Sequence, residues 1–273
     1  MQIPDRPELD RGLTELSTKS DAVSRCLAAL EAGSFTDPAG RTEALGNVRL
    51  SRSEVALLAH LSRNCPKPLS IEIGFGMGSS AAVMLGSRAD AGEPFEHLIF
   101  DPHGLGSGRG AIVEAYLKEH FGGHFQRFWE HSAIGLARIW AERGPGSAGL
   151  IFIDGSHLFE SVLTDFYLAD RLCCVGGAIV FDDALFPAIE TVIQYVIANR
   201  PDFEVHHLIA DNATVAVRVD EDRRSWDAFT PFAVPQRAGW MSAELQKPAL
   251  PSSEHEDWKY RLGNWVRKRG KNK

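Results

Sequence analysis

The sequence is short of cysteine. Its 273 residues include four, Cys26, Cys65, Cys173 and Cys174, and none makes a CxxC pair. A chain of this length does not need disulfide staples, so the expectation is reduced thiols in a cytoplasmic protein. Long apolar runs are also missing. None approaches the roughly 18 residues that span a bilayer, and the opening MQIPDRPELDRG has no apolar stretch of the kind a signal peptide carries. Positive charge is in deficit, with 29 Lys and Arg against 36 Asp and Glu and a formal net charge of −7. Such a chain has no general attraction to nucleic acid or to an anionic membrane. There is no internal repeat and no low-complexity tract. What is present is a 44% hydrophobic fraction, enough for one α/β domain with a sizeable core and some additions.

Along the chain, residues 1 to about 20 read as a polar, poorly ordered lead-in. Val23, Cys26, Leu27 and Leu30 follow helical spacing up to Gly33. Ser51 and Glu54 form the pattern of a capping box ahead of Val55, Leu58 and Leu61, predicting a second helix that stops at Asn64 and Pro66. From about residue 69 the rhythm changes. Short apolar runs at Leu69–Ile73, His97–Phe100, Phe125–Trp129, Gly149–Ile153 and Gly177–Phe181 alternate with helical stretches near 79–88, 110–121, 133–143 and 158–172. This alternation predicts buried parallel strands. A helix near 187–199 then leads to Phe203–Ile209 and Thr214–Val219, an antiparallel pair joined at Ala210-Asp211-Asn212. After Val219 the pattern stops. Residues 220–273 hold Trp226, Trp240, Trp258 and Trp265, several prolines and a basic end. This extension reads as a solvated tail, a substrate lid or a contact in a homo-oligomer. The expected division is a helical extension over 1–66, a catalytic domain over 67–219 and an irregular extension over 220–273.

The stretch Leu69-Ser-Ile-Glu72-Ile-Gly74-Phe-Gly76-Met-Gly78-Ser79-Ser80 has the strand–loop–helix order of a nucleotide-binding turn. Glycines let the backbone pass close to a ligand, and the helix that follows offers free N–H groups to an anionic group. The third glycine makes the spacing GxGxG, whereas a dinucleotide fingerprint has GxGxxG, which argues against an NAD dehydrogenase. Glu72, inside the strand, can meet a cationic ligand. The next predicted strand ends at Asp101, the third leads to Glu130-His131-Ser132, the fourth ends at Asp154 and the fifth at Asp182-Asp183.

This E-x-G-x-G-x-G loop resembles motif I of the class I S-adenosylmethionine (SAM)-dependent methyltransferases. The resemblance implies a Rossmann-like seven-stranded α/β sheet with helices on both faces. It also implies that Gly74, Gly76 and Gly78 hold the methionine part of SAM with Glu72, and that Ser80 meets the cofactor carboxylate. Asp101 would take the ribose hydroxyls and His131 and Ser132 would lie at the adenine, with Asp154 bordering the cofactor.

Neighbouring fourth and fifth strands would bring Asp154, Asp182 and Asp183 into one cleft. Three like charges repel, so a cation should hold them, and hard oxygen ligands suit Mg²⁺ or Ca²⁺. The stretch IDGSHLFESVLTDFYLADRLCCVGGAIVFDD is similar to the metal-dependent small-molecule O-methyltransferases, the macrocin and sugar branch and, more distantly, the catechol type. That likeness, over about 69–200, implies Asp154, Asp182 and Asp183 as Mg²⁺ ligands and a small-molecule hydroxyl as acceptor. His157 follows Asp154 at the spacing where catechol-type enzymes carry a lysine base. Histidine titrates near neutrality and can accept a hydroxyl proton; the other readings are a helix cap or a support for a metal ligand. The loop also resembles motif I of the tRNA guanine-N7 methyltransferases, but no PDPW-type motif follows Ile153 and the acidic charge disfavours tRNA. A non-catalytic SAM-binding protein is the remaining alternative.

Overall fold

The computed structural model describes residues 1–46, 50–102 and 110–233. Eight helices and nine strands run, among these residues, in the order α1 Arg6–Ser17, α2 Asp21–Ala32, β1 Ser34–Thr36, β2 Thr42–Ala44, α3 Arg52–Arg63, β3 Leu69–Ile73, α4 Ser79–Ala91, β4 Glu96–Phe100, α5 Ala111–Phe121, β5 Phe125–Phe128, α6 Ser132–Arg143, β6 Ala148–Ile153, α7 Phe159–Leu172, β7 Cys173–Phe181, α8 Pro187–Asn199, β8 Phe203–Ala210 and β9 Ala213–Arg218. β1 and β2 form a hairpin. The other seven strands make one sheet in the order β5-β4-β3-β6-β7-β9-β8. β5 to β7 are parallel, and β9 pairs antiparallel with both β7 and β8. This is the Rossmann-like seven-stranded sheet of the class I methyltransferase fold.

Two apolar layers sandwich the sheet. One joins α1–α5 and the hairpin to residues such as Ile99, Leu150 and Val180, and the other joins α6–α8 to Ile71, Ile151 and Ile179. Helix α1 corrects the expectation of an unordered lead-in. Leu9, Leu13 and Leu16 recur at helical spacing and are all buried, and burying a leucine side chain contributes roughly 1.5–3 kcal/mol. Asp5 caps the helix by accepting from the Glu8 N–H. The β1–β2 hairpin is likewise absent from the sequence reading, because three-residue strands leave no periodicity to detect. The capping box is present: Ser51 accepts from the Glu54 N–H while Glu54 accepts from the Ser51 N–H. Strand β7 starts at Cys173, earlier than the expected Gly177. A register shift between Ala148 and Leu150 of its partner β6, together with Gly176 at φ +84°, carries the chain through the irregularity.

The register decides what sits at the strand ends. Ile73 lies beside both Phe100 and Ile153, and Ile153 beside Phe181. Gly74, Asp101, Asp154 and Asp182 therefore follow in a row along one edge of the sheet. From β3 the chain order runs outward to β4 and β5 on one side, and from β6 to β7 on the other. The cleft at such a reversal, outside the carboxyl ends, is where open α/β sheets bind ligands.

Candidate functional site

The glycine loop crosses this switch point. Gly74, Gly76 and Gly78 have φ of +90°, +50° and +76°, values that favour glycine. A Cβ on Gly74 would stand 2.0 Å from the main-chain oxygen of Asp154, and one on Gly78 would stand 2.6 Å from the Phe75 ring. Both positions need glycine because the backbones of neighbouring strand ends and the Phe75 ring fill the space. Helix α4 begins on Gly78 with no side-chain cap, so its first N–H groups have no capping side chain and suit an anionic group such as an amino-acid carboxylate.

Glu72 has both oxygens paired within the protein. It is fully buried, and its two oxygens accept from the Ser80 hydroxyl and from His97 Nε2, the latter at 2.9 Å. His97 Nδ1 lies 2.9 Å from the Ser70 hydroxyl. The Ser80 hydroxyl is therefore committed to Glu72 and not to a ligand carboxylate. The pair anchors the first turn of α4 to β3, so both residues act on the loop from beneath.

Asp101 stands at the end of β4, where its Oδ2 accepts from the Phe75 N–H at 3.0 Å and lies 3.4 Å from Arg127 Nη2. Arg127 was not singled out in the sequence, although a charged residue in an apolar edge strand was the signal. Its guanidinium lies 4.0 Å from the Phe75 ring centroid and 3.8 Å from that of Trp129, and it pairs with Glu114 at 2.8 Å. The stack locks Asp101 and the loop together through Phe75. His131 occupies the N-cap of α6. The hydroxyl of Ser132 donates to Asp165 Oδ1 at 2.6 Å, so towards a ligand its oxygen can only accept. Burial pushes the Asp165 carboxyl up to about 6, partly offset by the Ser132 bond.

Across the switch point, Asp154, His157 and Asp183 present ligand atoms all within 4.8 Å of one another. This set differs from the expected Asp154, Asp182 and Asp183 in that His157 stands in it and Asp182 is not among the three. His157 Nε2 lies 2.9 Å from Asp183 Oδ2, and Nδ1 is shielded from solvent with no hydrogen-bond partner among the described residues. Asp182 Oδ1 is also buried and without a hydrogen bond among the described residues. Burial first, then the charges of Asp154, Glu54 and Asp183, push the Asp182 carboxyl well above the usual carboxylate range. An orphaned carboxylate oxygen beside other acids fits a bound divalent cation, which would supply the missing partner and offset the repulsion.

Asn212, in the β8–β9 turn, holds this corner. It donates to Asp183 Oδ1 at 2.7 Å, accepts from the Leu185 N–H at 3.1 Å through its side chain and from the Ala184 N–H at 2.8 Å through its main chain, and donates to Glu54 Oε1 at 3.3 Å. Asp183 sits at φ +52°, which costs on the order of 1 kcal/mol for a residue other than glycine and which these bonds offset. A cavity of about 620 Å³ adjoins Asn212 and Glu54, with Leu27, Leu30, Leu50 and Arg52 among its other walls. Asn212 and Glu54 carried no functional signal in the sequence, since each works through contacts between distant segments. The glycine-rich stretch 103–109 and residues 234–273, with three of the four tryptophans of the C-terminal extension, lie outside the described residues. All four cysteines are free, and among the described residues no helix is long and apolar enough to cross a membrane.

Known proteins resemble this arrangement. Residues 71–184 match the family model described as a methyltransferase domain. No curated protein matches. Solved structures do, at low identity. An SAH-bound methyltransferase from Podospora anserina is 15% identical with a TM-score of 0.55, over 81% of this chain and 99% of that one. An O-methyltransferase from Bacillus cereus in complex with SAH is 12% identical with a TM-score of 0.52, over 80% and 94%. An O-methyltransferase from Streptomyces achromogenes involved in tomaymycin synthesis, in complex with SAM, is 15% identical with a TM-score of 0.52, over 63% and 82%. At these identities the structures establish a shared fold. The family match covers the glycine loop and the strand ends through Asp183, so residues 71–184 are similar to a methyltransferase domain, and they lie in a seven-stranded sheet of the class I methyltransferase fold.

Proposed function

We propose that this protein transfers the methyl group of SAM to a hydroxyl of a small molecule, assisted by Mg²⁺. The observation that carries the reading is the meeting of Asp154, His157 and Asp183 beside the glycine loop, with an orphaned Asp182 oxygen next to them. Three acids in one cleft make sense around a cation and have no evident use in a cofactor site alone. The solved O-methyltransferases of the same fold support the same reaction class.

In this reading the uncapped N-terminus of α4 takes the carboxylate of SAM, and Asp101, braced by Phe75 and Arg127, takes the ribose. Asp154, Asp182 and Asp183 hold the Mg²⁺, which when bound lowers the pKa of a neighbouring hydroxyl. His157, held by Asp183, accepts the hydroxyl proton; with Nε2–H donated to Asp183 its lone pair is on Nδ1. The open depression beside Asn212, with Leu27, Leu30 and Leu50 in its lining, is where the body of an acceptor would lie. Positioning and charge stabilisation supply most of the acceleration, as expected for an in-line transfer between two bound molecules.

The test is transfer of labelled methyl from SAM to a panel of vicinal diols, catechols and sugars, with Mg²⁺ and with excess chelator. Label on an acceptor oxygen only in the metal arm supports the proposal. Equal transfer in both arms removes the metal, and label on nitrogen or carbon removes O-methylation.

A further inference from the structure

The N-terminal hairpin reaches the cofactor site through one side chain. Glu43, on β2, accepts from the Gly110 N–H at 2.7 Å with one oxygen and from the Ile112 N–H at 3.0 Å with the other. These are orphan donors of the first turn of α5, whose own N-cap, Gly110 at φ +71°, provides no side-chain cap. A carboxylate there also meets the positive end of the helix dipole. The hairpin is seated on the same helix by Phe35, register partner of Glu43, whose ring lies 5.3 Å from that of Tyr116. The turn that Glu43 grips packs on the glycine loop. A Cβ on Gly110 would lie 2.8 Å from the Phe75 ring and 3.1 Å from the Gly76 oxygen, and one on Gly78 would lie 2.9 Å from Val113 of α5. Phe75 in turn donates its N–H to Asp101.

We propose that Glu43 is a positioning residue of the SAM cleft: from outside the sheet it fixes the first turn of α5 against Phe75 and Gly76, and thereby the geometry of the loop and of Asp101. Without it, two helix donors lose a charged acceptor and the turn is free to lift from the loop. The inference rests on the reading of the glycine loop as the SAM site.

Calorimetric titration of SAH into wild type, Glu43→Gln, Glu43→Ala and Arg41→Ala tests it, alongside thermal unfolding of each without ligand. Arg41→Ala breaks the Asp37–Arg41 pair of the same hairpin and leaves Glu43 in place. The expected result is a rise in the SAH Kd of about tenfold or more for Glu43→Ala, the scale set by losing two charge-assisted hydrogen bonds. Glu43→Gln, with one oxygen acceptor and no charge, falls between, and Arg41→Ala matches wild type. Unchanged SAH affinity in folded Glu43→Gln and Glu43→Ala overturns the proposal, as does an equal loss in Arg41→Ala, which would mark a general effect of loosening the hairpin. Wild type that binds no SAH would instead bring down the SAM reading on which this one stands.

Discussion

His157 Nε2 and Asp183 Oδ2 lie 2.9 Å apart, so the histidine that follows β6 is tied to the second acid after β7. The contact orients the imidazole, and the Phe186 ring, 4.8 Å from it, limits its rotation. Two strands that meet only in the folded sheet thus supply a base candidate and the group that holds it. The same arrangement would serve a metal ligand, and the two roles separate experimentally.

If His157 takes the hydroxyl proton, His157→Ala lowers kcat by about 10² to 10⁴, the usual contribution of a positioned base. The Kd for SAH stays near the wild-type value, and so does the Kd for Mn²⁺ measured by electron paramagnetic resonance. A kcat within about threefold of wild type would show that the histidine only orders the corner. A loss of Mn²⁺ affinity would mark it as a ligand.

Asp182→Asn tests the cation. Replacing a carboxylate ligand should weaken Mn²⁺ or Mg²⁺ binding by about tenfold or more while leaving the SAH Kd within about twofold, because β6 stands between β7, which carries Asp182, and β3, which carries the glycine loop. The substitution also removes one charge from a repelling cluster, so the metal-free variant should unfold at a higher temperature than metal-free wild type. Unchanged metal affinity would contradict the assignment of Asp182.

Asp165, which bonds to Ser132 of α6, gives a pH prediction. Its folded carboxyl titrates near 6, raised by burial from the ordinary 3.8. The stability it contributes is therefore full below about pH 4 and is lost as pH rises through 6. At pH 7 the loss reaches roughly 3 kcal/mol, from about two units at 1.4 kcal/mol each. Asp165→Asn keeps an oxygen for the Ser132 hydroxyl and removes the charge. Urea unfolding at pH 4 and pH 7 should show the variant gaining on wild type as pH rises. A stability difference that does not change with pH would contradict this account.

Much of the fold was legible because its signals are local. The expected boundaries of β3 match those observed, the capping box of α3 is present, and the turn at Asp211-Asn212 joins an antiparallel pair. The row of acids at the strand ends was legible too, since strand alternation places such residues together. Side-chain direction was not. Glu72 and Ser80 occupy motif positions yet face each other beneath the loop, a choice decided by His97 on the neighbouring strand. Glu43, Arg127 and Asn212 act between segments 26 to 69 residues or more apart in sequence, a distance over which no periodicity operates. Helix α1 was missed because three leucines among charges carry a weak signal until the surface they cover is known.

The central claim is that the glycine loop between β3 and α4 binds SAM. Isothermal titration of SAH into wild type and into Gly76→Val tests it most directly. Valine is poorly accommodated at the φ of +50° that Gly76 adopts. The account predicts a wild-type Kd in the micromolar range, about −8 kcal/mol, and no measurable binding to Gly76→Val that still unfolds cooperatively. Folded wild type that binds neither SAH nor SAM would contradict it.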